Sequence, residues 1–248
     1  MPGLPVSWRG VSLTALLLSG CAGGYAIKPF NALSAEDALS EISSRRRLCD
    51  NFKSSVVFQF DMEAGQIRLN GEVTLTEGKY WRVSIDGPLG IKLVLIETDV
   101  GSYRLENLHT GQIQEGFLDE AVSLPELALE LPSLDILGGI VLPVPDIVFP
   151  QDWEILSHTS NRMILREIIG DSPDSLILEL TYSPLRILHE ELWRDGSQIY
   201  KREYHYRDRK SVLPESISAN IGSVEICIRY SNPKLRRERT PHGQLAPF

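Results

Sequence analysis

Histidines, cysteines and carboxylates are the side chains that could hold a metal, attack a carbonyl or relay a proton. In this chain their spacing supports none of these chemistries. The five histidines, His109, His158, His189, His205 and His242, include no pair four residues apart, the helical spacing that aims two imidazoles at one ion. There is no Cys-x-x-Cys, no Gly-x-Ser-x-Gly elbow and no phosphate-cradling glycine loop. His189, Glu190 and Glu191 adjoin one another in a predicted strand, where neighbours point to opposite faces. They read as solvated strand polar groups rather than as a ligand set. No catalytic residue, metal ligand or cofactor is expected, and the chain does not read as an enzyme. Cys49 and Cys227 leave two readings open, a disulfide in an exported domain or two free thiols. A bridge needs Cα atoms within about 7 Å, which spacing along the chain does not reveal.

The third cysteine stands in a different setting. Residues 1–20 carry a single charge, Arg9, then an apolar run from Val11 to Leu18 and small residues at Ser19 and Gly20. The run is shorter than the roughly 20 residues a membrane helix needs, and its order reads as a cleaved secretion signal. Leu18-Ser19-Gly20-Cys21 resembles the lipobox of bacterial lipoproteins. That resemblance implies a diacylglycerol on the Cys21 thiol and a mature chain beginning at Cys21. Ala22, in place of the Asp that retains such lipoproteins at the inner membrane, implies an anchor in the outer membrane on its periplasmic face. Several acyl chains on one residue anchor firmly, at roughly 0.8 kcal/mol per buried methylene. Residues 21–33, with Gly23, Gly24 and Pro29, form the acylated tether.

Beyond the tether the chain is long enough for one domain, residues 34–232, with a sizeable core. The net charge of −8 argues against a nucleic-acid partner, while 42% hydrophobic and 23% charged residues are ordinary for a globular chain. Ser34 as N-cap, Glu36 and Asp37 in the first turn and Arg45-Arg46-Arg47 in the last predict a helix over 35–48. The basic triplet reads as a solvated helix end rather than a lipid contact. From Lys53 the apolar period becomes two, so residues 53–107 predict successive antiparallel hairpins, with turns at 63–65, 77–78, 86–88 and 99–101. Residues 119–149 are rich in Leu, Ile, Val and Pro without alternation. Ser123 with Pro125 predicts one short helix ending near Leu131, and Ser133 a second ending at Gly138-Gly139. Strands resume at 153–158, 162–169, 175–182, 186–193, 198–207, 212–219 and 223–230. Residues 233–248 read as a basic, disordered tail. So apolar a middle segment must cover something apolar, either the sheet or a cavity.

The run Tyr80-Trp81-Arg82-Val83-Ser84-Ile85-Asp86-Gly87-Pro88-Leu89-Gly90-Ile91-Lys92-Leu93-Val94-Leu95-Ile96 resembles the strand–loop–strand of the outer-membrane lipoprotein receptor LolB and the wider LolA-like group. Asp119 to Pro145 is similar in placement to that family's lid segment, and Leu213-Pro214-Glu215-Ser216-Ile217 to its late strands. The resemblance implies a fold that is mainly β with α, a half-open antiparallel β-barrel with lid helices, binding acyl chains of lipoproteins or other lipids. It implies a membrane-insertion loop at Pro88, Leu89 and Gly90. There the flanking Pro and Gly favour a tight tip with Leu89 outward, the alternative being a turn residue tucked back into the barrel. Cavity or lid candidates are Phe58, Phe60, Trp81, Val83, Leu93, Leu95, Leu124, Leu127, Leu131, Leu134, Leu137 and Ile140. Plain core packing is the other role for these residues, and which sheet face they line is open. The function expected is lipoprotein or lipid transfer by a membrane-anchored monomer, with a periplasmic LolA-like carrier as partner. A structural or assembly lipoprotein binding a protein partner is the alternative. The extended apolar insert, the basic tail and an unusually apolar strand after the loop depart from the receptor pattern.

Overall fold

The computed structural model describes residues 34–235 apart from 64, 126–128, 132, 146–152, 169–173 and 183. The signal, Cys21, the tether, Leu127 and the tail beyond Leu235 lie outside the described residues. Of Pro88, Leu131 and Leu134 only the backbone is described.

Helix α1 (Ala35–Leu48) forms where the caps place it. Ser34 Oγ accepts from the Asp37 amide at 3.1 Å, and the acidic and basic residues sit at the ends that favour the helix dipole. Its buried side is Ala38, Leu39, Ile42 and Arg46. Strands β1 (Phe52–Met62), β2 (Gly65–Thr76), β3 (Tyr80–Asp86), β4 (Lys92–Asp99) and β5 (Ser102–Asn107) follow as the alternation predicts. A sixth, β6 (Ile113–Phe117), extends the meander; its exposed burial pattern gives no alternation to read from sequence. After the insert come β9 (Trp153–His158), β10 (Arg162–Ile168), β11 (Ser175–Tyr182), β12 (Leu185–Arg194), β13 (Ser197–His205), β14 (Ser216–Ile221) and β15 (Val224–Leu235). The last strand thus runs into the segment expected to be tail.

These thirteen strands form one antiparallel sheet in the order β6-β5-β4-β3-β2-β1-β15-β14-β13-β12-β11-β10-β9. Each meander is a wing. The wings join where the first and last strands pair, with Phe58 opposite Ile228 and Phe60 opposite Ile226. The sheet does not close: β6 and β9 remain edges, each largely exposed. The chain between them forms hairpin β7 (Val122–Leu124) and β8 (Leu129–Leu131), then helix α2 (Leu134–Val141) capped by Ser133. The first of the two expected lid helices is therefore a strand pair. Val122 and Leu124 are buried while Ser123 is exposed, a two-residue period that places apolar side chains inward only in an extended chain.

One apolar core lies between the inner sheet face, α1, α2 and the hairpin. Arg45 Nη1 donates to Leu185 O at the start of β12, and Arg46 Nη2 donates to Gly78 O in the β2–β3 turn at 3.0 Å. Two of the three arginines thus dock α1 onto both wings, and Arg47 alone is the exposed helix end that the sequence suggests. Cys49 and Cys227 are free. Cys49 is buried in the core at the α1 C-cap, whereas Cys227 alternates with buried Ile226 and Ile228 and so points to the outer face. The sheet separates them, which is why the disulfide reading is not realised. Burial pushes the Cys49 thiol up to about 12, so it is inert at neutral pH. Among the described residues no helix is long and apolar enough to cross a membrane.

Candidate functional site

Phe58, Phe60, Trp81 and Val83 are buried on the inner face, and Leu124, Leu137 and Ile140 of the insert are buried with them in the same core. The structure does not bring Leu93 and Leu95 to that place. In β4 the buried side chains are Val94, Ile96 and Thr98, and Leu93 and Leu95 are half-buried on the opposite face, Leu93 packing against the core from there. The reason is register: Val94 pairs with Ile85 and Ile96 with Val83, both inner-face residues, and a one-residue step reverses the face.

The insert fills the inner face. Ile140 and Val141 of α2, and Ile217, Ala219, Ile226 and Ile228 of the sheet, are each 0% exposed, so no water-sized gap adjoins them. Helix α2 lies against β14 and β8. Gly138 lies close against Trp81 of the first wing. A Cβ there would lie 2.6 Å from Trp81 Nε1 and 2.9 Å from Cε2, so the bare backbone lets the indole lie against the helix.

The other wing grips the same helix with polar groups that the sequence does not single out. Arg202 is 0% and Glu190 2% exposed, and Arg202 Nη2 donates to Glu190 Oε2. Tyr200 Oη and Tyr204 Oη each donate to Glu190 at 2.6 Å, one to each carboxylate oxygen. The remaining reach of Arg202 goes to the insert: Nη1 donates to Leu142 O at 3.4 Å, while Tyr230 Oη donates to Val141 O at 3.0 Å. These are the carbonyls that a helix C-terminus leaves without intrahelical partners. Burial alone works to lower the Arg202 pKa, but Glu190 outweighs it and the guanidinium stays charged. Burial raises the Tyr204 hydroxyl well above its ordinary value, so it remains a donor.

Glu190 corrects the reading of His189-Glu190-Glu191 as solvated. An irregularity in the β11–β12 register, where Glu179 faces His189 but Leu180 faces Ile187, inserts Leu188 as an extra residue. The bulge shifts the phase, so Glu190 rather than His189 turns inward to face Arg202. The available signal was in β13, where Tyr200, Arg202 and Tyr204 share one face of a strand.

Leu89 is the opposite case. Its chain reverses between β3 and β4 through a single 3-10 turn at Pro88–Gly90, closed by Gly87 N–H to Ile91 O at 2.7 Å. Leu89 has φ +64°, a left-handed conformation uncommon for a residue with a side chain, and it is 98% exposed. Gly90 shares the positive φ, and neighbouring Ile91 is exposed too. The outward reading of the tip is the one realised.

These features define a class: an antiparallel half-barrel, open between its edge strands and plugged from within by its own helices, which is the LolA/LolB-like fold. Solved structures share this fold. It is similar to a LolA superfamily protein from Nitrosomonas europaea at 15% identity and TM-score 0.58, covering 84% of this chain and 96% of that one. It is similar to a domain from Vibrio parahaemolyticus described as an outer-membrane lipoprotein-sorting protein, at 9% identity and TM-score 0.56, covering 83% and 96%. It also matches a DUF1329 family protein from Desulfovibrio piger at 9% identity and TM-score 0.56, covering 81% and 92%. No family model matches the sequence, and no curated protein does.

Proposed function

We propose that this chain is a membrane-anchored lipoprotein that binds acyl chains on the inner face of its half-barrel and takes part in lipoprotein or lipid transfer at the outer membrane. The observation that carries this reading is how the apolar inner face is covered. It is covered by a separate insert, α2 with the β7–β8 hairpin, and not by closure of the β-ladder between β6 and β9. Withdrawing that insert uncovers apolar surface in the shape of a trough, and each Å² then covered by an acyl chain contributes roughly 25 cal/mol before ordering costs. The process is passive, using no cofactor: the chain goes to whichever apolar surface holds it more tightly. The bare Leu89 tip supports a role at the bilayer, because a lone exposed leucine in a strained turn gains by entering lipid. Cys21 would hold the domain within reach, with a LolA-like carrier handing over cargo to the monomer.

Native mass spectrometry of protein carrying Cys21→Ser, isolated from the soluble fraction of the cell that exports it, is expected to show a co-purified acyl lipid or lipoprotein. Repeated isolation of the bare chain overturns the reading. Leu89→Glu is expected to impair lipoprotein delivery in cells while leaving the melting temperature unchanged.

The gapless packing of α2 on β14 favours a second reading, an envelope assembly lipoprotein that binds a protein partner with its interior permanently filled. Hydrogen exchange separates the two. Amides of 134–141 that exchange only on global unfolding, with or without lipid, support the filled interior. Amides that exchange by local opening, faster when lipid is present, support the trough.

A further inference from the structure

One cleft at the end of the second wing, lined in part by Tyr204 of the Glu190 cluster, carries a charge unlike that of the chain as a whole. It encloses about 500 Å³ between the ends of β10–β13 and the loop after β13. Arg162, Arg186, Arg209, His205 and Tyr206 stand on its wall, and among the described residues no Asp or Glu lines it, in a protein of net charge −8.

The cations around it are unequally neutralised. Arg162 Nη1 is 2.8 Å from Glu179 Oε1, and neighbouring Arg45 is 3.0 Å from Glu41 Oε1. Arg186 instead gives Nη2 to two backbone carbonyls, Asp208 O and Ser211 O, and its guanidinium lies 4.5 Å above the Tyr206 ring. Carbonyl oxygens and a neutral ring leave its full charge in place. Its Nε is buried with no hydrogen-bond partner among the described residues. Arg209 is exposed and makes no ion pair with a described residue. The adjacent Asp208 carboxylate is turned into its own loop, accepting from the Lys210 amide at 2.7 Å, the Ser211 amide at 2.9 Å and Ser211 Oγ at 3.1 Å. Burial, and then the like charges of Arg45 and Arg209, pull the Arg186 pKa below its ordinary value against the opposing pull of Tyr206 and Asp208.

We propose that this cleft binds a phosphate-type oxyanion, held by Arg186 and Arg209, with the apolar wall at Leu188 taking the ligand's attached carbon skeleton. A tetrahedral anion with several oxygens can accept at once from Arg186 Nη1, the part of that guanidinium not already engaged, and from the Arg209 guanidinium, and stacking on Tyr206 fixes the plane of the Arg186 group. A phosphodiester head group of a bilayer lipid and a soluble phosphate ester offer this same chemistry. The proposal does not rest on acyl-chain binding, and its assay reads the anion alone.

The test uses the full chain with Cys21→Ser, so that no acyl anchor contributes. Calorimetric titration with glycerol phosphate is one arm; co-sedimentation with phosphatidylcholine or phosphatidylglycerol vesicles is the other. Saturable binding to glycerol phosphate, or a preference for phosphatidylglycerol over phosphatidylcholine, is expected. Arg209→Gln is expected to weaken it about fivefold, the effect of one basic side chain at an anionic surface. Arg186→Lys, which keeps the charge and loses the planar group on Tyr206, is expected to weaken it and, with the bonds to Asp208 O and Ser211 O lost, to lower the melting temperature, whereas Arg209→Gln at an exposed position is expected to leave that temperature unchanged. Arg104→Gln on the other wing is expected to leave it unaltered. Binding in the first arm identifies a soluble ester, and binding in the vesicle arm alone identifies a lipid head group. Absence of both, or an equal loss in Arg104→Gln and Arg209→Gln, overturns the proposal.

Discussion

The two wings of the sheet bury inner faces of different character against the same helix. On the wing from β2 to β6 the inner face carries Val73, Leu75, Trp81, Val83, Ile85, Val94, Ile96 and Leu105 with the uncharged Thr98, Tyr103 and Asn107, and Trp81 lies against α2 at Gly138. On the wing from β9 to β14 the inner face also carries Glu190, Arg202, Tyr200, Tyr204 and Glu167. That wing, together with Tyr230 of the central strand β15, reaches α2 through hydrogen bonds to its last carbonyls. Dispersion contacts slide and re-form at small cost, whereas directed bonds to two named oxygens are made in one position only. The insert is therefore gripped firmly at its C-terminal end and loosely at Gly138, and it is expected to peel from the first wing while remaining hinged on the second.

Five variants sharpen or break this comparison. Arg202→Met strikes the firm grip. It leaves Glu190 buried without its cation and Leu142 O without its donor, and is expected to cost about 3–5 kcal/mol in denaturant unfolding. The double variant Glu190→Leu/Arg202→Met is expected to recover much of that loss, and failure to do so means that the cluster does more than satisfy itself.

Glu167 gives the second wing a pH dependence near neutrality. It lies inward on β10 between Leu176 and Trp153, and burial pushes its carboxyl up to about 7 from 4.5. Between those values the folded chain holds a proton that the unfolded chain has released, so this residue makes stability fall as pH rises through that window. Glu167→Gln is expected to flatten the slope and to stabilise the protein by about 2 kcal/mol at pH 8, with little effect at pH 4. A parallel pH profile for variant and parent would refute the assignment.

Gly138→Val tests the loose side. The added carbons overlap the Trp81 indole, at a cost of about 1–3 kcal/mol. Tryptophan fluorescence should shift, and protease should cut the insert faster than in the parent. Leu89→Glu is the smallest. With the side chain bare in water, unfolding free energy should change by less than about 0.5 kcal/mol. A larger loss would mean that the tip packs on the barrel in solution.

Much of this was legible in the chain. Ser34, the acidic first turn and the basic last turn marked α1 to the residue, because capping and helix-dipole preferences act within a few residues. Alternation marked ten of the thirteen strands closely, began β14 too early, at 212 instead of Ser216, ended β15 too early, at 230 instead of Leu235, and missed β6, whose side chains are exposed on both faces. The tip at Leu89 was legible from Pro88 and Gly90. Leu93 and Leu95 were assigned without a face, since alternation gives two faces and does not say which is inner. The short helix expected at Ser123 is a hairpin because tertiary pairing of Val122 with Leu131 outweighs a local N-cap preference.

The sequence by itself determined what depends on near neighbours: where the helices start, where strands alternate and turn, and which middle segment is too apolar to stand in water. Only the tertiary structure decided what depends on register across the sheet. The bulge at Leu188 turned Glu190 toward Arg202, and the pairing of β1 with β15 set Cys227 on the face away from Cys49. It also decided that the Leu-rich insert fills the trough and that the arginines around Arg186 share one cleft. The physical reason is the two-residue period of a strand. A single extra residue exchanges inside for outside, and nothing local to that residue records the exchange.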